Sequence, residues 1–171
     1  MNRRLFLPGL LLVAGLCRWP VHGAETEPSP PSVAERISAQ LDQAERSFRR
    51  RAYPDALRVV NSVLAEDANN PRAYNLRASI HEQQDEHAKV AADLTEMIRL
   101  LPADPNLHQR RGEAHFKAAR IKECLADFDK VLELVPRQAP HHWQRGIALY
   151  YAGRFEDGRK QFELHQTVNA H

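Results

Sequence analysis

The chain has 171 residues, 43% of them hydrophobic and 27% charged, with a formal net charge of +2. That balance is too charged for a membrane-embedded bundle and too apolar for a disordered chain. Seven glycines and few β-branched runs argue against a β-sandwich, and the dominant residues, Leu, Ala, Glu, Arg and Gln, are good helix formers that point to an all-α fold.

The first 23 residues read as an export signal. Arg3 and Arg4 form a short positive region, Leu5 to Leu16 is apolar, and Val21, His22 and Gly23 precede a cut before Ala24. The apolar run is shorter than the ~20 residues a bilayer span needs, so cleavage is expected, with no stable membrane insertion afterwards. Asn2-Arg3-Arg4-Leu5-Phe6-Leu7 looks like a twin-arginine signal, but the minimal basic region and Pro8 fit an ordinary secretory signal better. Cys17 follows Leu16, where a lipoprotein signal needs a small residue, so export to a bacterial periplasm or the cell exterior is favoured over lipid attachment. The segment 1–23 holds three arginines and no acid, so the remainder carries 21 basic and 22 acidic side chains, net −1. A near-neutral body has no global attraction for nucleic acid. One cysteine remains after cleavage, Cys124, so no intramolecular disulfide can form.

Residues 24–32, with Glu-Pro-Ser-Pro-Pro, read as an extended spacer. Ser32 and Glu35 then make a capping box that starts the first helix at Val33. From there a 34-residue period organises everything to residue 171. One column is small throughout (Ala44, Ala78, Gly112, Gly146), and so is another (Ala56, Val90, Cys124, Gly158). A third is large and apolar: Val60, Leu94, Phe128, Phe162. Beside it Val63, Met97 and Val131 give way to His165. Tyr53, His87, Ile121 and Phe155 form a turn column, and Ala68, Pro102, Pro136 and Ala170 punctuate the units. Small columns mark helix crossings, large residues fill the space beside them, and proline stops the second helix of a pair. In the third unit Gly112 and Cys124 are the expected crossing pair. The units are 37–70, 71–104, 105–138 and 139–171 within a repeat domain 33–171. Helices are expected over 33–50, 54–67, 71–84, 88–101, 105–118, 122–135, 140–152 and 156–168.

This order of small, large and proline columns resembles the tetratricopeptide repeat family. The third unit matches best, and the first, with Gln40 and Gln43 at apolar places, matches worst. The resemblance implies a right-handed α-solenoid of eight helices that binds proteins or peptides along a concave groove. A narrower likeness lies in segment 142–154, HWQRGIALYYAGR, which is similar to a repeat of the NlpI family of bacterial outer-membrane lipoproteins, scaffolds for peptidoglycan hydrolases and a periplasmic protease.

The sequence shows no phosphate loop, nucleophile elbow or zinc-protease motif, so no enzyme activity and no cofactor is expected. Nine histidines are the enriched titratable type. His108 and His115 share a helix face, and His81 and His115 stack one repeat apart. A metal or haem carrier is the alternative these suggest; the plainer reading is that they fill tyrosine or tryptophan places in the repeat. His141 and His142 read likewise as a pair opening a helix rather than as metal ligands. Cys124 reads as a small filler rather than a redox thiol. Arg77, Arg111 and Arg145 form a further column, either for acidic peptide groups or with their stems covering the repeat junctions and their heads in water.

The resemblance also assigns a groove: Arg72, Asn75, Ser79 and Gln83, then Gln109, Arg110, Glu113, Phe116 and Lys117, then Trp143, Ile147, Tyr150 and Tyr151. His142, Gly146 and Leu149 of the fourth unit satisfy packing and leave that last aromatic stripe over, of the residue types that dominate binding hot spots. Co-chaperones of the family hold acidic tails with groove lysines and asparagines. Leu41, Glu45 and Leu76 stand at such places here and argue against that ligand. Repeat arrays usually need a polar terminal helix, and Phe162 and Leu164 have no obvious cover, which implies a partner, a second copy of the chain, or a natural chain that continues further, the first two being preferred.

Overall fold

The computed structural model describes residues 30–169, so the export signal, Cys17 and most of the spacer lie outside the described residues. Among the described residues eight α-helices follow one another: α1 (Val33–Arg49), α2 (Tyr53–Glu66), α3 (Pro71–Gln83), α4 (His87–Leu100), α5 (Pro105–Lys117), α6 (Ile121–Leu134), α7 (Trp143–Tyr151) and α8 (Phe155–Asn169). A 3-10 turn, Pro136–His141, precedes α7, and no strand occurs among the described residues. The helices pair as four antiparallel hairpins stacked into a helical-repeat solenoid.

Each helix begins where its chemistry allows. The Ser32 hydroxyl accepts from the Glu35 N–H at 3.2 Å while the Glu35 carboxylate accepts from the Ser32 N–H at 2.7 Å, closing the capping box. Asn70 and Asp104 cap α3 and α5 with Pro71 and Pro105 in the first turn. The fourth unit breaks this rule. Gln138 occupies the cap place without capping, and proline comes one residue late, as Pro140. The chain winds into the 3-10 turn instead, and α7 starts at Trp143 rather than at the expected residue 140. The second helices begin at the turn column itself, Tyr53, His87, Ile121 and Phe155, one residue earlier than expected.

The turn inside each hairpin repeats with the same period. Arg51, Asp85, Ala119 and Gly153 all adopt positive φ, between 55° and 73°. Behind them the amides of Ala52, Glu86, Arg120 and Arg154 donate to the carbonyls of Ser47, His81, His115 and Leu149 at 2.8–3.0 Å, a Schellman closure in every unit. Only the fourth uses glycine, the residue that takes this conformation without strain.

The core fills by reciprocal sizes. Ala44 and Ala78 stand in repeats with Val60 and Leu94, whereas Gly112 and Gly146 stand with phenylalanine. A Cβ on Gly112 would lie 2.6 Å from the Phe128 ring, and one on Gly146 would lie 3.0 Å from the Phe162 ring. Phe128, rather than Cys124, is thus what Gly112 makes room for. The crossing of small columns is seen directly in the fourth unit, where a Cβ on Gly158 would lie 3.1 Å from the Gly146 carbonyl oxygen. Burial of a residue such as Phe128 contributes about 2–3 kcal/mol.

Candidate peptide-binding groove

Three of the first helices carry the arginine column, and its heads are held by ion pairs and hydrogen bonds. Arg77 donates to Asp93 (2.6 and 2.9 Å) on its own second helix and to Asn61 (2.8 Å) on the preceding one. Arg111 repeats the arrangement with Asp127 (2.7–3.2 Å) and Thr95 (3.1 Å). Arg145 does so with Gln161 (3.2 Å) and Asp129 (2.7 Å). Each arginine ties a hairpin together and to its neighbour. Asp93 and Asp127 are buried, so Arg77 and Arg111 are engaged inside the solenoid, whereas Arg145 pairs with the exposed Asp129.

His81, His108, His115 and His142 also turn inward. His108 takes the place of Tyr74 one repeat earlier. The Tyr74 hydroxyl donates to the Ala68 carbonyl at 3.1 Å, and His108 Nε2 lies 3.4 Å from the matching Pro102 carbonyl, with Nδ1 3.3 Å from Asp127. His81 Nδ1 is 2.6 Å from the Glu86 carboxylate, and His115 Nε2 is 3.8 Å from Asp127. His142 packs against Phe128 with ring centres 4.6 Å apart and both nitrogens unpartnered. Burial pushes the His115 and His142 pKa values below the ordinary 6.5. Among the described residues no group of three or more His, Cys, Asp or Glu side chains is placed to hold a metal ion. Cys124 is fully buried, and burial, with Asp127 and Glu113 nearby, pushes its thiol up to about 12, which keeps it protonated and unreactive.

The expected groove residues divide into two groups. Toward the N-terminus, polar side chains bind one another. Arg72 donates to Asp42 at 2.5 Å and to Glu45 at 2.7 and 2.9 Å, bridging α3 to α1. Arg110 reaches back from α5 to Asn75 (2.8 Å) and Glu82 (3.0 Å). Gln109, Glu113 and Gln144 close a network across α5 and α7 at 2.7–3.1 Å. Ser79 is half-buried and Gln83 exposed on α3. Of the positions argued against a carboxylate clamp, Leu41 and Leu76 are buried and Glu45 is held by Arg72.

Toward the C-terminus the face opens. Glu113, Phe116, Lys117, Phe128, Trp143, Gln144 and Ile147 line a cavity of about 270 Å³. Its floor is aromatic and aliphatic, Trp143 remains 45% exposed at its edge, and Lys117 is exposed at the rim. Tyr151 meets Phe116 edge-on at 5.6 Å and borders this opening. Tyr150 belongs elsewhere: its ring meets Phe155 edge-on at 5.2 Å and lines a different cleft, beside α8. Gln144 and Phe128 are not in the stripe that periodicity selects. Gln144 is legible as the residue 34 after Arg110, whereas Phe128 is reached through the Gly112 gap, which only packing reveals.

No family model matches the sequence, and comparison with curated proteins finds no match. Solved structures do match. MamA from AMB-1 superposes with a TM-score of 0.71 at 17% identity over 82% of this chain and 76% of that one. MamA of Desulfovibrio magneticus RS-1 gives 0.66 at 14% identity over 78% and 76%. The first tetratricopeptide domain of Spaghetti (RPAP3), bound to the HSP90 peptide SRMEEVD, gives 0.52 at 20% over 78% and 93%. At these identities the likeness establishes the fold, a tetratricopeptide-type helical repeat.

Proposed function

We propose that this chain is an exported, non-catalytic scaffold that binds a segment of a partner protein on the face formed by its first helices. The observation that carries this reading is the contrast along that face: Arg72 and Arg110 are held by side chains of α1 and α3, whereas an apolar opening lined by Phe116, Trp143 and Ile147 lies between α5 and α7. An opening of about 270 Å³ holds one bulky side chain rather than a whole ligand. Trp143, Ile147 and Phe116 would grip an aromatic or aliphatic anchor of a peptide, and Lys117 would meet an acidic neighbour on it. The RPAP3 domain, of the same fold, is a precedent for peptide binding, though its acidic peptide is not the ligand expected for a face whose Glu45 and Asp42 already hold Arg72. Export rests on Arg3, Arg4 and the apolar run Leu5 to Leu16, and no helix of the described residues is long and apolar enough to cross a membrane.

The test is a crosslinking pull-down from the exported fraction, comparing wild type with Trp143→Ala/Ile147→Ala and with Tyr150→Ala. The expected outcome is a set of partners lost in the double variant and kept in Tyr150→Ala. Partners that survive the double variant would move binding away from this cavity, and retention of the full-length chain in the cytoplasm would remove the export reading.

A further inference from the structure

The last hairpin exposes positions that the other three cover. Phe48, Tyr53 and Leu64 in the first repeat pack against a core that the following helix completes with Ala73, Leu76 and Ile80. The matching residues of the fourth repeat are Tyr150, Phe155 and Gln166, with Phe162 at the place of buried Val60. Tyr150 and Phe155 are 60% and 61% exposed, and Phe162 is 36% exposed where Phe128 is 1%. With Arg159 and Glu163 they line a cleft of about 650 Å³. A helix-sized apolar slot therefore stands open on α7 and α8.

The opposite end of the solenoid does not fit that slot. At the places where α3 presents Ala73, Leu76 and Ile80, α1 carries Ala39, Asp42 and Arg46. Head-to-tail stacking would press Asp42 and Arg46 onto Phe155 and Phe162 and strip both charges of water. The slot is instead suited to itself. The residues flanking its rings are three acids, Glu156, Asp157 and Glu163, and three bases, Arg154, Arg159 and Lys160. Arg159 already pairs with Glu156 and Glu163 on its own helix. Antiparallel pairing of two α8 helices about a two-fold axis sets Arg159 opposite the partner subunit's Glu163, and the reverse, while Phe155 and Tyr150 enter the partner's cleft. We propose that α7 and α8 form an isologous interface with a second copy of this chain.

Light scattering on the purified chain, from micromolar to submillimolar concentration, tests this. The expected mass is that of two chains. Phe155→Glu, an exposed substitution whose fold is checked by circular dichroism, should weaken association roughly 30-fold or more. Arg159→Glu should weaken it too, and Arg159→Glu/Glu163→Arg should restore it, because the exchange remakes both the internal and the cross-axis pairs. A single-chain mass at all concentrations overturns the proposal, as does a dimer indifferent to Phe155→Glu. Masses growing beyond two chains would replace it with head-to-tail stacking, and pairing only with a foreign protein would replace it with a heteromeric surface.

Discussion

The third and fourth repeats are built on the same columns and end in different states. In the third, Gly112 admits Phe128, Asp127 gathers Arg111 and His108, Asp104 caps α5, and the following hairpin packs over it, leaving the cavity between α5 and α7. In the fourth, Gly146 admits a Phe162 that remains partly exposed, Gln161 stands where the acid stood, the cap is missing, and His142 has no polar partner. Identical spacing does not fix identical stability. What closes a repeat is the layer after it and the polar groups that its arginine can reach. Both candidate interaction surfaces adjoin the less closed repeat, where binding can complete what folding leaves open.

The comparison breaks most visibly at the arginine column. Asp127 is buried and accepts from two nitrogens of Arg111, with His108 at 3.3 Å. Asp127→Ala would leave a largely covered guanidinium without its carboxylate, at an expected cost of about 3–5 kcal/mol. Gln161 is equally buried but neutral, with bonds to Arg145 and to the Ala139 carbonyl. Gln161→Ala should cost about 1–2 kcal/mol. Chemical denaturation of the two variants decides it. Equal losses would mean that the charge at position 127 contributes nothing beyond its hydrogen bonds.

Glycine sharpens the same contrast. Gly112→Ala places a methyl 2.6 Å from the ring of Phe128, which is only 1% exposed, and overpacking of this kind costs about 1–3 kcal/mol. Gly146→Ala meets Phe162 at 3.0 Å, but that ring has an exposed side and can shift. The helix preference for alanine, about 1 kcal/mol, should then make this substitution close to neutral. Gly112→Ala/Phe128→Leu recreates the Ala78 and Leu94 pairing of the second repeat and should recover part of the loss, seen as a coupling of about 1 kcal/mol in a double-mutant cycle. Additive effects would show that the reciprocal sizes are coincidental.

Much of this was legible in the sequence. The period, the hairpin order and most helix bounds follow from the small, large and proline columns, because close helix crossings tolerate few residue types. The late start of α7 was not legible from the columns alone. It depends on Gln138 failing as a cap while Pro140 is displaced by one place, a conjunction that matters only once the rest is in register. The positive-φ column was hidden for a different reason: Arg51, Asp85 and Ala119 share no side-chain chemistry, and the turn is imposed by the hairpin closure around them. Of the groove, the aromatic stripe was visible as what packing leaves over. That Tyr150 faces α8 while Trp143 and Ile147 face α5 is a matter of helix rotation, which a linear pattern resolves only coarsely on a helix of nine residues. The self-satisfaction of Arg72 and Arg110 was invisible because their partners lie 27 to 35 residues away on neighbouring first helices.

The smallest effect expected is on the response to acid, and it rests on His142, whose partners differ from those of His108. Both occupy the Tyr74 place. His108 has a carboxylate and a carbonyl within reach, whereas the 3-10 turn gives His142 no equivalent bond, and burial holds its pKa below the ordinary 6.5. A histidine that resists protonation when folded and accepts it when unfolded takes up protons on unfolding below pH 6.5. Stability is therefore full above that value and falls as the pH drops through it toward the lower folded pKa, a slope to which His115 contributes in the same direction. The carboxylates held below their ordinary values, Glu35, Asp42, Glu86 and Glu156, lose their contribution only in more acid solution, so the two windows are distinct. His142→Phe keeps a flat ring against Phe128 and removes the titrating group and its two unpartnered nitrogens. Thermal melts at pH 7, 6 and 5 should show a shallower fall in the variant than in the wild type, with stability at pH 7 equal or higher. An unchanged slope would mean that His142 finds water or a partner in solution and is not held neutral by burial.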